Sequence, residues 1–337
     1  MKAVGYLHPG PIGAADALVD VEMPEPQLGP RDLLVRVAAI SVNPADVKMR
    51  ASAAPPADTP QILGYDAAGV VEAFGADATL FATGDAVFYA GVIDRPGTYA
   101  ELHAVDERLV GPKPTSLDAA QAAALPLTAL TAWELLFDRL RVPLGGHASG
   151  DAIVIINGAG GVGSILTQIA RRLTGLTVIA TASRPETVAW VRDMGAHHVI
   201  DHRQPLEAGL KAIGIPEVRY VAGLTASDRH QQSILNVLAP QGALAMIDDP
   251  GSFDIIPFKQ KSLSVHWEYM FTRGVYQTAD MAAQHHILSE VSALVDKGVL
   301  RTTFREDYGP INAANLKRAH EAVESARGFG KIVLSGF

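Results

Sequence analysis

The stretch Ala152-Ile153-Val154-Ile155-Ile156-Asn157-Gly158-Ala159-Gly160-Gly161-Val162-Gly163 decides the fold of this chain. Its run of apolar residues is typical of a buried parallel strand, and the strand leads directly into a G-x-G-x-x-G turn. Apolar residues then recur at helical spacing as far as Gly175, and residues 176–181 predict the next strand. The sequence therefore predicts a complete βαβ unit with a glycine-rich turn between its first strand and its helix.

This glycine-rich turn is the predicted cofactor site. Glycines here allow a tight turn, close approach of the backbone to a pyrophosphate, and close packing of helix against strand. The N-terminus of the helix adds unpaired N–H groups and the positive end of its dipole. We therefore expect a dinucleotide to contact Gly158, Gly160, Gly161, Val162 and Gly163.

Composition limits the class of protein. A chain of 337 residues with 48% hydrophobic residues fits two globular domains. No apolar run approaches the ~20 residues that span a bilayer, and the first residues do not resemble a signal peptide. The absence of cysteine excludes disulfides and thiol nucleophiles. With a net charge of −8 and scattered basic residues, we expect a cytoplasmic protein with no membrane or nucleic-acid partner.

The order of patterns along the chain predicts an inserted domain. Residues 1–122 are rich in strand patterns and turns, while residues 123–258 alternate between helix and strand. Such alternation favours a doubly wound parallel sheet. Residues 259–337 contain two helical patterns and a final strand, which we expect to return to the first domain. The predicted fold class is α/β, with a β-rich domain and an inserted parallel-sheet domain.

Several motifs occur in an order that resembles a known superfamily. They are Ser-Val-Asn-Pro-Ala-Asp (41–46), Leu-Gly-Tyr-Asp-Ala-Ala-Gly-Val-Val (63–71), Gly-Asp-Ala-Val (84–87), Gly-Thr-Tyr-Ala-Glu (97–101) and the glycine-rich turn. The chain resembles the quinone-oxidoreductase branch of the medium-chain dehydrogenases/reductases, in the group called zinc-type alcohol dehydrogenase-like proteins. The resemblance implies a GroES-like catalytic domain, an inserted Rossmann domain, a nicotinamide cofactor and a homodimer.

The chain departs from the zinc-dependent relatives at the metal ligands. Those relatives use a Cys, the His of a Gly-His-Glu motif and a second Cys. Here the corresponding positions are Asn43, Tyr65 in Gly64-Tyr65-Asp66, and a place near Pro126 to Thr128. None of these is a good zinc ligand, because zinc favours thiolate, imidazole and carboxylate. We therefore expect no zinc.

NADPH is the expected cofactor. The end of the second nucleotide-binding strand reads Thr-Ala-Ser-Arg-Pro (181–185) and lacks the acid that grips a ribose 2′-hydroxyl. Ser183 and Arg184 offer a hydroxyl and a planar guanidinium to a 2′-phosphate, although Arg184 could also lie on an ordinary surface turn. The resemblance adds Arg203, after the third strand, and Lys331, near the cofactor.

The resemblance also supplies candidate catalytic residues. It places Asn43 and Thr128 in polar contact with nicotinamide and substrate, although Asn43 could simply cap a turn. Tyr65 could donate a proton to a nascent oxyanion or form an aromatic wall, and Tyr89 and Trp267 are weaker candidates for lining the pocket. Without a metal, hydride transfer to a small-molecule electron acceptor such as a quinone or an α,β-unsaturated carbonyl is favoured. The alternatives are a zinc alcohol dehydrogenase and a non-catalytic NADPH-binding sensor.

Overall fold

The structure is a computed structural model that describes residues 1–55, 59–146 and 150–337. Two compact units are present: residues Met1–Leu130 with Phe271–Phe337 form unit 1, and Thr131–Met270 form unit 2. Unit 2 is inserted into unit 1 along the chain, as the sequence predicts.

The boundaries of the units differ from the predicted 122/123 and 258/259. The second boundary lies later because Ser264–Trp267 forms a strand that pairs in parallel with the sheet of unit 2. The first lies later because the chain from residue 119 to residue 130 packs with unit 1 before a helix continues into unit 2. Both shifts reflect tertiary pairing that the local pattern does not carry.

Unit 1 is built mainly from short strands. Its strands are β1 (Lys2–Tyr6), β2 (Val19–Glu22), β3 (Asp32–Ser41), β4 (Gln61–Ile62), β5 (Asp66–Phe74), β6 (Ala86–Ala90), β7 (Leu102–Asp106), β8 (Val110–Pro112), β15 (Phe304–Asp307) and β16 (Lys331–Ser335). Its helices are α1 (Pro44–Ser52), α2 (Ala119–Ala123), α8 (Thr272–Val275), α9 (Ala283–Asp296) and α10 (Ala313–Glu324), with a 3-10 turn at Glu107–Leu109. Helix α3 (Pro126–Trp133) and a π-helical segment, Glu134–Arg139, carry the chain into unit 2.

The larger sheet of unit 1 brings distant parts of the sequence together. Its strand order is β15-β16-β3-β5-β6-β8, and β7 also pairs with β3. In the antiparallel register Ser41 lies opposite Asp66 and Val333 lies opposite Ser41. The end of β3 and the starts of β5 and β16 therefore meet, although the last strand is far away in sequence.

Unit 2 is a fully parallel sheet with helices in the connections. Its elements are β9 (Ala152–Ile156), α4 (Gly161–Leu173), β10 (Thr177–Thr181), α5 (Pro185–Asp193), β11 (His198–Ile200), α6 (Leu206–Ala212), β12 (Val218–Gly223), α7 (Ser227–Val237), β13 (Leu238–Met246), a 3-10 turn (Ile256–Lys261) and β14 (Ser264–Trp267). The strand order is β11-β10-β9-β12-β13-β14. Strand β9 is central and completely buried, which explains its unbroken apolar sequence.

One helical run in the described residues, Ala119–Arg139, is long and apolar enough to cross a membrane by length and composition. Within this run, 78% of the apolar window is buried inside the protein. Such burial is the pattern of a core helix.

Candidate active site

The glycine-rich turn has the geometry that its sequence predicts. Asn157 leaves β9 with a left-handed φ of 64°, and Gly160 caps the start of α4. A Cβ at Gly163 would lie 2.3 Å from the Asn157 carbonyl oxygen, and one at Gly158 would lie 2.7 Å from the Ala180 Cβ. Since real Cβ atoms essentially never come within 3.0 Å of such a neighbour, both positions require glycine.

The turn presents the start of α4 as an anion site. Ser164 is the first residue of α4 whose N–H closes a helical hydrogen bond, to the Gly160 carbonyl at 2.9 Å. The N–H groups of Gly161, Val162 and Gly163 precede it and have no acceptor within the helix. Together with the helix dipole they suit a pyrophosphate, so these residues fit a dinucleotide.

The predicted 2′-phosphate residues lie on neighbouring strand ends. Strands β10 and β11 are paired, and the Arg203 guanidinium donates to the Ser183 carbonyl oxygen at 3.2 Å. Each arginine also has a carboxylate partner: Arg184 lies 3.2 Å from Glu186, and Arg203 lies 2.6 Å from Asp201. The Arg203 hydrogen bonds lower the pKa of Asp201. The residue patterns did not reveal these two carboxylate partners.

In unit 1 a buried polar cluster forms around Asp66, which is fully buried. The Asp66 Oδ1 accepts from the Leu127 N–H at 2.7 Å, and Oδ2 accepts from the Ser41 hydroxyl at 2.6 Å. The Asn43 Nδ2 donates to the same Oδ2 at 2.8 Å, and the Lys331 ammonium lies 3.1 Å away. We call Ser41, Asn43, Asp66 and Lys331 the Asp66 cluster.

The Asp66 cluster fixes the orientation of the Asn43 amide. Its Nδ2 faces a carboxylate, which can only accept, and its Oδ1 faces the Lys331 ammonium, which can only donate. The second Nδ2 hydrogen meets the Ser41 carbonyl oxygen at a long 3.5 Å. One N–H of the Asn43 amide therefore makes only a long, weak hydrogen bond, while the other N–H and the amide oxygen hold the cluster together.

Lys331 lies in the Asp66 cluster, where the resemblance predicted a residue near the cofactor. Its side chain is 3% exposed, and Nζ donates to the Val42 carbonyl oxygen at 3.0 Å as well as to Asn43 and Asp66. All three ammonium hydrogens thus have acceptors inside unit 1. In this arrangement the Lys331 ammonium balances the charge of the Asp66 carboxylate. A contact between Lys331 and the cofactor stays a prediction.

A second buried acid, Asp46, lies beside the cluster on α1. Its Oδ2 accepts from the Asn43 backbone N–H at 2.6 Å. Burial raises the pKa of the Asp46 carboxyl to about 7, although the Asn43 hydrogen bond and the Lys331 charge both lower it. Sequence reasoning missed Asp46 because the first turn of a helix commonly holds an acid.

Tyr65 and Thr128 are both buried. The Tyr65 ring is 3% exposed and meets the edge of Phe271, with ring centroids 4.9 Å apart. The Thr128 hydroxyl donates to the Leu125 carbonyl oxygen at 3.0 Å. Because its hydrogen is already committed, this hydroxyl can serve a ligand as an acceptor.

Tyr89, a weaker candidate for lining the pocket, packs in the core of unit 1. It is fully buried and stacks on His103, and its hydroxyl lies 3.1 Å from the His103 Nδ1. Burial lowers the pKa of His103 to about 4. The neutral ring then donates from Nε2 to the Pro96 carbonyl oxygen at 3.0 Å and accepts the Tyr89 hydroxyl hydrogen at Nδ1.

The residues at the expected metal positions do not fit zinc. An amide, a phenol and a threonine hydroxyl are poor ligands, and the Lys331 ammonium places a positive charge beside the amide of Asn43. Among the described residues no group of three or more His, Cys, Asp or Glu side chains could hold a metal ion.

Known proteins share the architecture over the whole chain. The alcohol dehydrogenase GroES-like domain family matches residues 29–115, and the zinc-binding dehydrogenase family matches residues 194–334. The zinc-type alcohol dehydrogenase-like protein SAS2087 of Staphylococcus aureus (strain MSSA476) is 37% identical over 340 residues, covering 99% of this chain and 100% of that protein. The NADPH-dependent alkenal/one oxidoreductase of Arabidopsis thaliana chloroplasts is 36% identical over 211 residues, covering 60% of this chain and 52% of that protein.

Solved structures give the same result. A protein from Rhizobium etli CFN 42, solved as a candidate zinc-dependent alcohol dehydrogenase, is 55% identical with a TM-score of 0.96, covering 100% of this chain and 98% of that one. Escherichia coli quinone oxidoreductase, solved with NADPH, is 26% identical with a TM-score of 0.84, covering 99% of this chain and 100% of that one.

A GroES-like unit with an inserted nucleotide-binding sheet defines the medium-chain class of dehydrogenases and reductases. The chain belongs to this superfamily, in the group of zinc-type alcohol dehydrogenase-like proteins. It is therefore an oxidoreductase by family. Its group is named for zinc, but the residues at its own metal positions are poor zinc ligands.

Proposed function

We propose that the protein is a zinc-free, NADPH-dependent oxidoreductase that transfers hydride to a quinone or an α,β-unsaturated carbonyl. The observation that carries the proposal is the Asp66 cluster. The relatives that use zinc hold their metal where this chain has Asn43 and Tyr65, and here Asn43 is tied to an ammonium and a carboxylate. A reaction that needs a Lewis acid is therefore disfavoured.

Activated acceptors suit a site without a metal. Quinones and enones delocalise the incoming charge onto a distant oxygen, where hydrogen-bond donors can stabilise it. Bound NADPH would supply the hydride. The second Asn43 N–H, with its long 3.5 Å contact, is the donor that such an oxygen could take over. The work of the chain is then to orient the acceptor and to exclude water.

Tyr65 has two possible roles in this proposal. Its hydroxyl could donate a hydrogen bond or a proton to the reduced acceptor, or its ring could form a wall for an aromatic acceptor. The Tyr65→Phe variant separates the roles, because it keeps the ring and removes the hydroxyl. A large loss of kcat supports proton donation, and unchanged turnover supports the wall.

The choice of NADPH is supported by two guanidinium groups on adjacent strand ends. Arg184 and Arg203 are partly or largely exposed, and the side chains of Glu186 and Asp201 are 50% and 33% exposed. Exposed ion pairs are worth at most about 1 kcal/mol, so a 2′-phosphate could displace Glu186 or Asp201 at low cost. Two proteins similar to this chain have NADPH in their descriptions.

We also propose that the protein forms a homodimer through unit 2. Strand β14 is at the edge of its sheet and has no strand on its outer side in the described part of the chain. Trp267 at the end of β14 and Ile256 at the start of the preceding 3-10 turn are 55% and 72% exposed. An open strand edge beside exposed apolar side chains suits pairing with a second copy. Light scattering after gel filtration tests this proposal, and a monomer at micromolar concentration would refute it.

The function is tested by following NADPH oxidation in protein freed of metal with a chelator. An ortho-quinone and a simple enone serve as acceptors, with a primary alcohol and NADP⁺ as the reaction that zinc relatives would favour. Turnover of a quinone or an enone without zinc supports the proposal. Activity that returns only when zinc is added refutes it, and tight NADPH binding with no turnover of any acceptor would favour the sensor alternative.

A further inference from the structure

Asp46 is a carboxyl group in surroundings that do not stabilise a charge. It is fully buried on α1, and its Oδ1 has no hydrogen-bond partner among the described residues. Its Oδ2 has the Asn43 backbone N–H at 2.6 Å. A buried carboxylate normally requires several donors or a dedicated cation. Asp46 has that one N–H donor, and the Tyr99 hydroxyl adds a smaller stabilisation of the charged form. Burial outweighs both, and the proton is therefore retained to unusually high pH.

The nearby cation is already matched by another acid. Lys331 lies 3.1 Å from the Asp66 carboxylate, so one positive and one negative charge balance. The Lys331 charge lowers the pKa of Asp46, the Asp66 charge raises it, and the Tyr99 hydroxyl lowers it. Protonated Asp46 leaves this buried region neutral. Ionised Asp46 adds a further negative charge to a region where the Lys331 charge is already matched by Asp66.

The other side of Asp46 offers no compensating charge either. The Tyr99 hydroxyl lies 3.2 Å from the His320 Nε2, and burial lowers the pKa of His320 to about 3. This histidine is therefore neutral. Arg50, one turn further along α1, is bonded to Glu324 on α10. The two charges that act most strongly on Asp46 are those of Lys331 and Asp66, and they are paired with each other.

Asn43 transmits the state of Asp46 to the proposed reaction centre. The Asn43 N–H is bonded to Asp46, and the Asn43 amide is fixed between Asp66 and Lys331. An acceptor that gains hydride develops negative charge on its oxygen. A new negative charge one hydrogen bond away from Asn43 would oppose that development, because charges in a buried region are weakly screened.

We propose that Asp46 is a positioning residue that works as the neutral acid, holding Asn43 and keeping the Asp66 cluster free of excess negative charge, so that hydride transfer slows when Asp46 ionises. The inference rests on the proposed function and adds to it a pH dependence specific to this chain. The role is indirect, since Asp46 is buried and acts through Asn43.

The test is the pH profile of kcat/KM with an enone that has no titratable group, from about pH 5.5 to about pH 9. The wild type is expected to lose rate about tenfold for each pH unit above the ionisation of Asp46, which is placed at about pH 7. The Asp46→Asn variant keeps a neutral side chain of the same shape. Its profile should lack this descending limb at high pH, even if its overall rate is lower. The Asp118→Asn variant is the matched control, because Asp118 also belongs to a capping box at a helix start but is exposed. It should keep the descending limb of the profile.

Stability supplies a readout that does not depend on turnover. Because burial raises the Asp46 pKa above its unfolded value, the wild type loses stability as pH rises through about 7. The unfolding free energy of Asp46→Asn should therefore improve relative to wild type between about pH 5.5 and about pH 8.

The possible failures are distinct. A descending limb that persists in Asp46→Asn, or a flat wild-type profile with good turnover, overturns the role of Asp46 and leaves the proposed function standing. No turnover of any acceptor at any pH overturns both proposals. A stability difference that does not change with pH overturns the ionisation on which the inference depends.

Discussion

The buried ion pair between Asp66 and Lys331 gives the sharpest prediction about this protein. The Asp66 and Lys331 side chains are 0% and 3% exposed, so neither charge can turn to solvent. In Lys331→Met the carboxylate keeps three neutral donors, from Ser41, Asn43 and the Leu127 backbone, but loses its cation. Breaking a buried pair in this way costs about 3–5 kcal/mol.

The double variant Asp66→Asn/Lys331→Met removes both charges. An amide at position 66 can still accept from the Leu127 N–H, but its NH₂ group would face the Asn43 Nδ2. One unsatisfied buried contact costs about 1–3 kcal/mol. The double variant should therefore be more stable than Lys331→Met alone, and the coupling between the two substitutions should reach about 2 kcal/mol.

The measurement is urea unfolding followed by circular dichroism, analysed for the transition of unit 1 because two units need not unfold together. Arg36→Met is the control: it breaks the Arg36–Glu72 pair in the same sheet, where the side chains are 56% and 35% exposed. This exposed pair should contribute no more than about 1 kcal/mol. Losses of Lys331→Met and Arg36→Met that are equal within error, or a double variant equal to the sum of its single substitutions, would refute the reasoning.

Three further predictions concern the cofactor site and the core. Gly163→Ala should abolish NADPH binding or unfold unit 2, because the new Cβ would lie 2.3 Å from the Asn157 carbonyl oxygen. In the control Gly13→Ala the new Cβ meets no heavy atom within 4 Å, so this variant should behave as wild type. Titration of NADPH fluorescence compares the two variants. Arg203→Ala should weaken NADPH about tenfold or more, a loss of about 1.4 kcal/mol or more, and leave NADH nearly unchanged, and equal losses for both dinucleotides would contradict a 2′-phosphate role. Buried His103 has a pKa of about 4 in the fold, below its unfolded value. The unfolding free energy should therefore fall by about 3 kcal/mol as pH drops from about 6.5 to about 4. Acid titration of the unfolding free energy of wild type and of His103→Gln measures this effect, and parallel curves for the two proteins would exclude a contribution from His103.

Local patterns predicted the elements whose signal lies within one segment. The βαβ unit around Gly158–Gly163 is in this class, since a buried strand, a glycine turn and an amphipathic helix are each visible in consecutive residues. The two helical patterns within residues 259–337 were also confirmed, as Ala283–Asp296 and Ala313–Glu324. Strand β14 was missed, because its four residues become a strand by pairing with β13, which no local pattern records.

The candidate site was predicted less completely because its partners are distant in sequence. Asn43 and Asp66 were visible as motif residues, and in the structure Asp66 accepts hydrogen bonds from the Leu127 backbone and the Lys331 ammonium. Their link to Lys331 depends on the pairing of β16 with β3. Asp201 and Asp46 were overlooked for another reason: an acid after a strand or in the first turn of a helix is common, and only burial or a bonded arginine marks it as unusual.

The Asp66–Lys331 pair also has a consequence for the order in which the chain acquires its structure. The two residues are 265 positions apart, and the whole of unit 2 is translated between them. A growing polypeptide thus holds Asp66 without its counter-charge until β16 has left the ribosome. The entropy of closing so long a loop grows only logarithmically with its length, at about 0.6 kcal/mol per doubling. The timing of synthesis, more than the distance to be closed, therefore makes this charge pair one of the last parts of unit 1 to form.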